Sequence, residues 1–395
     1  AIISVIGFLA YAFQGIGKFA EVFLPWNFHP NVYALVILSI TTLYVIMGGM
    51  YSVVLTDVIQ FVILTVVSIA IAIIAIMKIS PEMINASIPE GWKELSFGWK
   101  MDMDWSGYIP AVNKTISEHG WELFTIFWMM MLFKGVLASM AGPLPNYDMQ
   151  RVLATRKPKE SALMSWFVSV ALLFPRYLMI AGVVALALVF YSGELNTMGT
   201  DVDFEQILPF IINRFIPVGL SGFMLAGLLA AFMSSFDSTV NAGAAYVAND
   251  IYKRYINPKA SDRKYVIVSY FSSIILVIIG IIFGFLTKSI NQVLQWLVAG
   301  LYAGYIAPNV LKWHWWKLNG YGYFAGMISG ILAAIIIPKF FPAATPIYNF
   351  PYILAVSLIC CVGTSLWTEP DDEETLKSFY KQVRPWGFWG PIRDK

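Results

Sequence analysis

Charged residues are what this sequence has least of. Only 13% of its 395 residues are Asp, Glu, Lys or Arg, about half of the roughly 25% usual in a soluble globular domain, which excludes an ordinary water-soluble protein. Cysteine is confined to the adjacent pair Cys360 and Cys361 within an apolar run. That placement suits packing or lipid-facing thiols and excludes a disulfide framework or a thiolate metal site. Histidine is equally scarce: His29, His119 and His314 fall at the ends of apolar runs or in loops, without metal-ligand spacing. There is no phosphate-cradling glycine loop and no nucleophile elbow, so no enzyme constellation emerges. The net charge is only +2 and the bases lie in short runs between apolar segments, which speaks against a nucleic-acid partner. Ala1 already lies in an apolar run, with no initiator Met, basic leader or cleavage site before it, so the chain reads as truncated.

What the sequence does have is apolar surface. Hydrophobic residues make up 58%, with 28 Phe, 14 Trp and 20 Tyr, which rules out disorder and makes the lipid bilayer the natural solvent. Stretches long enough to cross a hydrocarbon core of about 30 Å as a helix occur at 2–26, 32–47, 53–77, 123–140, 162–191, 212–247, 266–286, 293–311, 324–338 and 352–366. The sixth exceeds what a span needs. It reads as an outer interfacial helix near 204–215, separated from the span by Pro217 and Gly219.

The loops orient these spans. Arg151, Arg156, Lys157 and Lys159 crowd the fourth connection and Lys253, Arg254, Lys259, Arg263 and Lys264 the sixth, whereas the fifth has acids and no base. Basic loops are cytoplasmic, so the connection at 78–120 is external and the tail after Trp367 is cytoplasmic, in an inner (plasma) membrane. Trp313, Trp315 and Trp316, with Lys312 and Lys317, read as an interfacial belt. The tail, 368–395, reads as an acidic run followed by a peripheral amphipathic helix and a docking segment.

Polar groups within spans are costly and therefore informative. Asp57 lies about 10 Å into the third span at 1.5 Å per residue, and needs a cation or a hydrogen-bond network there. In the sixth span Ser234, Asp237 and Ser238 stand at i, i+3 and i+4 and share a face. Ser235 lies one step round, at i+4 from Ala231. Hydroxyls, carboxylates and backbone oxygens are hard ligands for a small hard cation, and sodium fits. The competing reading is that the serines serve close helix packing; two aspartates at comparable depth favour the ion site. Lys18 reads as paired within its own helix, with Gln14 and Glu21 at i−4 and i+3. Lys134 has no acid on its own helix, and Arg176 follows Pro175, which is expected to break the fifth span and free carbonyls. Either cation could neutralise Asp57 or Asp237, or meet an anionic solute.

The stretch Tyr44-Val45-Ile46-Met47-Gly48-Gly49-Met50-Tyr51-Ser52, followed by Thr56-Asp57-Val58-Ile59-Gln60, resembles the signature of the sodium/solute symporter family, which includes sodium/glucose, proline and sialic acid cotransporters. Gln150-Arg151, and Ala230-Ala231-Phe232-Met233-Ser234-Ser235 leading to Asn249-Asp250-Ile251-Tyr252, agree in order and spacing. The resemblance implies an all-α polytopic membrane protein of LeuT-like fold, built from two inverted five-helix repeats with ligands near the midplane. On that pattern the ten spans are core helices three to twelve. Residues 1–77 are then the remainder of the first repeat, 78–120 an external loop, 121–313 the second repeat, 314–367 two additional spans and 368–395 the tail.

The same resemblance assigns Ala231, Ser234 and Ser235 to half of the main sodium site, the other half lying outside this chain. It gives Asp57 and Ser238 to a second sodium site present in some members. Asp237 stands where relatives often have a small or hydroxyl residue, leaving a second sodium, a proton, or a pair with Lys134 or Arg176 as alternatives. Gln295 matches a sugar-contacting glutamine. Ala141 and Leu172 replace a gating tyrosine and a lysine of the glucose transporters, and with Lys134 and Arg176 they make a carboxylate-bearing solute the rival of a sugar. The implied activity is sodium-coupled symport of a small organic solute. A membrane sensor or scaffold signalling through the tail is the alternative of another class, and the oligomeric state stays open.

Overall fold

The computed structural model describes residues 2–24, 26–94, 98–118, 120–141, 147–287, 302–341 and 346–393. They are helical, without a named strand among them. The helices are α1 (Ile2–Phe23), α2 (Pro30–Lys78), α3 (Pro81–Ala86), α4 (Pro110–Glu118), α5 (Phe124–Met140), α6 (Tyr147–Leu153), α7 (Pro158–Phe190), α8 (Ser192–Thr197), α9 (Ile207–Phe215), α10 (Val218–Ala245), α11 (Asp262–Leu286), α12 (Tyr302–His314), α13 (Gly320–Phe340), α14 (Pro346–Trp367), α15 (Glu373–Val383) and α16 (Gly390–Arg393). Eight helices among the described residues are long and apolar enough to cross a membrane. One of them, α2, holds two of the expected spans. At about 1.5 Å per residue its 49 residues would stretch some 74 Å, more than twice the hydrocarbon thickness. Gly49, at φ 54 and ψ −144, breaks it between the two spans, a conformation open to glycine because it has no Cβ. The eighth expected span, 293–311, lies largely outside the described residues, α12 holding its remainder.

The chain forms two compact units. The first comprises Ala1–Lys93, Met103–Lys114 and Pro145–Val293. Its centre is α1, whose Val5, Leu9, Phe13 and Ile16 recur at helical spacing and pack on Leu38 and Val45 of α2, Phe236 and Val240 of α10 and Leu276 and Val277 of α11. Gln14, alone among these apolar neighbours, donates through Nε2 to the carbonyls of Gly284 (2.7 Å) and Thr287 (3.0 Å), which satisfies acceptors at the end of α11. A second cluster joins Val67 and Ile71 of α2 to Val183, Leu186 and Ala187 of α7 and to Met224 and Leu228 of α10.

Several local expectations change here. Lys18 reaches Asp203 at 3.9 Å, an ion pair with a residue outside its own helix. The helix α7 runs through Pro175 unbroken, against the expected break; a proline in a membrane helix is tolerated where neighbouring groups re-satisfy the freed carbonyl. The outer helix is present as α9, with Pro217 capping the start of α10, and Arg214 binds Glu194 at 2.5 Å. Beyond α10 the chain continues as a π-helix, Tyr246–Ile256, which carries the Asn249-Asp250-Ile251-Tyr252 stretch. In the 78–120 connection, Asp104 accepts from the Ser106 hydroxyl (2.6 Å), the Ser106 N–H and the Asn113 amide. Those bonds, the Ser106 hydroxyl first, hold its carboxyl below the usual carboxylate range.

The second unit comprises Glu94–Asp102, Thr115–Leu144 and Leu294–Lys395. In lipid, burial of apolar surface gives helices no reason to associate, so close packing must do it. Here α13 presents Gly322, Gly326, Gly330 and Ala333 as its buried residues. Ser357 of α14 donates to the carbonyls of Gly304 (2.7 Å) and Gly326 (2.8 Å), tying α12, α13 and α14 together. Cys361 is fully buried against Gly326, which makes it a packing thiol.

The tryptophan run at the end of α12 is more than the membrane anchor expected of it, because the tail docks on it. Phe388 donates its N–H to the His314 carbonyl (2.7 Å), and Trp389 donates through Nε1 to the Trp313 carbonyl (2.9 Å). Trp389 is 3% exposed and packs with Leu376, Ile392 and Trp316. The helix α15 is capped by Asp372, which accepts from the Thr375 N–H, and carries Glu373 and Glu374 in its first turn, where negative charge suits the dipole. Trp389→Ala, a large-to-small change worth about 3–5 kcal/mol in a packed site, is expected to free the tail. Faster trypsin cleavage at Lys377 or Lys381 would show it; an unchanged cleavage rate would refute the docking role.

Candidate functional site

The polar centre of the first unit lies where α6 meets α2 and α10. Asp57, one turn after Val53 on the second half of α2, receives two donors. Its Oδ2 pairs with the Arg151 guanidinium of α6 at 2.5 Å, and its Oδ1 accepts from the Ser234 hydroxyl of α10. The same guanidinium nitrogen also donates to the Ser238 hydroxyl at 2.7 Å. Asp57 and Arg151 are about one-fifth exposed, so the pair is partly screened and yet far from bulk water.

Neutral hydrogen bonds surround this pair. Gln150 donates through Nε2 to the Ser238 carbonyl (3.0 Å) and accepts from Asn241 Nδ2 (2.7 Å). Asp237, with no exposed surface, accepts from the Tyr44 hydroxyl (3.0 Å) at one oxygen and from the Ser238 N–H (2.6 Å) at the other. Tyr44 comes from the first half of α2, so both halves of that helix meet the same stretch of α10. Ser234 and Asp237 of the expected shared face thus meet α2 partners, and Ser238 meets Gln150 and Arg151 of α6.

The cation expected at Asp57 is a different one. Arg151, read above as part of a basic cytoplasmic connection, supplies it. Arg176 is exposed on α7, and Lys134 lies half-buried on α5 in the second unit; neither has an ionic partner among the described residues. Arg176 misses the acids because α7 turns that side of its helix outward, where Leu172, Leu173 and Ile180 are also exposed. Gln295 lies outside the described residues. Tyr44, Gln150, Arg151 and Asn241 are the site residues that sequence reasoning overlooked. Three of them sit inside or beside the motif stretches, at the start of the Gly-Gly stretch and in Gln150-Arg151, so a signal was present without a stated role.

Ala231, Ser234 and Ser235 are half-buried along α10, and the Ser235 carbonyl accepts from the Thr239 hydroxyl at 2.5 Å. Among the described residues no three His, Cys, Asp or Glu side chains group as metal ligands. The donors that do converge are hydroxyl, carboxylate and carbonyl oxygens, a set suited to a hard cation.

The profile of the sodium:solute symporter family matches residues 1–330. The chain belongs to that family. Among curated relatives of this chain are a sodium/glucose cotransporter of Vibrio parahaemolyticus, 26% identical over 58% of this chain and 44% of its own, and the osmoregulated proline transporter OpuE of Bacillus subtilis (strain 168), 23% identical over 86% and 64%. The human high affinity choline transporter 1 is 25% identical over 87% and 58%. The chain spans about half the length of such relatives. Among solved structures, a Na+-coupled sialic acid symporter in a substrate-bound outward-open state aligns with a TM-score of 0.68 at 17% identity, covering 93% of this chain and 74% of that one. The chain thus has the LeuT-like fold of a multi-pass membrane protein.

Proposed function

We propose that this symporter couples sodium entry to uptake of a small organic solute by alternating access. The observation that carries the reading is the convergence of Asp57, Ser234 and Ser238 oxygens at the α2–α10 interface in a chain of this family. Ala231, Ser234 and Ser235 are read as half of the main sodium site, and Asp57, Asp237 and Ser238 as the region of a second cation. The two inverted repeats, with 1–77 completing the first and 121–313 forming the second, follow from the same resemblance. Coupling requires that sodium and solute raise each other's affinity by the same factor.

Orientation and solute belong to the proposal as well. The basic connections at 151–159 and 253–264 support a cytoplasmic tail in the plasma membrane. For the solute, Lys134, half-buried on α5 without an ionic partner among the described residues, supports a carboxylate-bearing compound over a hexose. Uptake into liposomes by the full-length protein, with sodium or choline outside, tests the coupling; equal uptake in both would reject it. Ser235→Ala removes a hydroxyl from the main site and is expected to lower apparent sodium affinity by about tenfold, the worth of a single charge-assisted ligand of roughly 1.4 kcal/mol. A sodium-activation curve that does not move would take Ser235 out of the site.

A further inference from the structure

The cluster at Asp57 already has a cation in it. One nitrogen of the Arg151 guanidinium stands 2.5 Å from the Asp57 carboxylate and 2.7 Å from the Ser238 hydroxyl, while Ser234 takes the other Asp57 oxygen. These are the hard oxygens a sodium ion would use. Two unit charges within about 4 Å repel strongly at protein-like dielectric, so a sodium ion and the guanidinium compete for the same Asp57 oxygens. Asp237, the neighbouring acid, is held by Tyr44 and the Ser238 N–H.

We propose that Arg151 is a built-in competitor for the Asp57–Ser234–Ser238 oxygens, so that a sodium ion entering this cluster must displace the guanidinium. The inference rests on the sodium-coupled reading above and deepens it. Arg151 belongs to α6, which is otherwise held to α10 by the Gln150 and Asn241 bonds. Displacement therefore breaks the charged contact between α6 and α2 and leaves the neutral ones, loosening the short helix without detaching it. Sodium occupancy and the seating of α6 become opposing states of one site.

Equilibrium binding of radioactive sodium to the purified full-length protein, without solute, tests this. Arg151→Gln removes the competitor's charge and is expected to tighten sodium binding by about tenfold, the change an ion pair of this exposure supports; Arg151→Lys keeps a cation and stays near wild type. Binding that is unchanged or weaker in Arg151→Gln overturns the proposal. The wild type supplies an independent reading should that variant not fold: sodium, compared with choline, is expected to raise hydrogen exchange of the 147–153 amides. Unchanged or slower exchange there, while sodium still binds, removes the competition and leaves symport standing. No sodium binding by the wild type removes the symport reading itself and the competition with it.

Discussion

Asp57→Ala is expected to abolish sodium-dependent uptake and to destabilise the protein, and the second effect should be reversible by a second substitution. The carboxylate receives Arg151 and Ser234; without it, the guanidinium loses the carboxylate that it holds at 2.5 Å while staying among the helices. Breaking a buried pair from one side costs about 3–5 kcal/mol, and with both side chains about one-fifth exposed a figure below that range, about 2–3 kcal/mol, is the better guide. Removing both charges in Asp57→Ala/Arg151→Ala takes away the cation that Asp57 had balanced, so thermal stability should recover toward wild type while uptake does not. This double-mutant cycle separates the fold from the function. A single variant as stable as wild type would remove the structural role of the pair, and one still driven by sodium would remove its functional role.

Gly330→Ala should be as damaging in the second unit, through sterics alone. A Cβ at Gly330 would collide with the backbone of Gly304, and the reciprocal Cβ at Gly304 would meet Gly330. Overpacking commonly costs about 1–3 kcal/mol when side chains can shift. Here both partners are backbone, so the α12–α13 approach itself must open, and the Ser357 bonds to Gly304 and Gly326 open with it. Loss of the monodisperse peak in size-exclusion chromatography is the expected readout. Gly363→Ala is the control: nothing lies within 4 Å of a Cβ there, and the change gains helix propensity of up to about 1 kcal/mol. Equal behaviour of the two variants would refute the packing argument.

The two predictions concern contacts of different legibility. The glycines of α13 recur every four residues, a spacing that marks close helix approach, although their partner on α12 could not be named from it. The Asp57 partner was legible only as a need for a cation. Two candidates, Lys134 and Arg176, could be written down from charge and depth, and the residue that satisfies it, Arg151, is read from the sequence as part of a cytoplasmic connection because the positive-inside rule counts loop charges without asking where they fold back. Lys18 shows the same limit, since helical spacing offered a partner nearby and the structure adds Asp203, far along the chain. The tail was more readable: Leu376, Phe379 and Tyr380 lie at i, i+3 and i+4 in a polar helix, and that face is the one that meets Trp316 and Trp389.

The sequence by itself determined the solvent, the spans and the family, because the length of an apolar run reports directly on bilayer thickness and the Gly-Gly and Ser-Ser stretches are specific. It also identified which few polar residues had to find partners. Only the tertiary structure decided which partners they found. A helix in water announces its inner face by alternating apolar and polar residues; a helix in lipid is apolar on every side, so periodicity carries no such instruction. The meeting of Asp57, Arg151, Ser234 and Ser238, drawn from three helices up to 181 residues apart in the chain, depends on the shapes of those faces and the turn at Gly49.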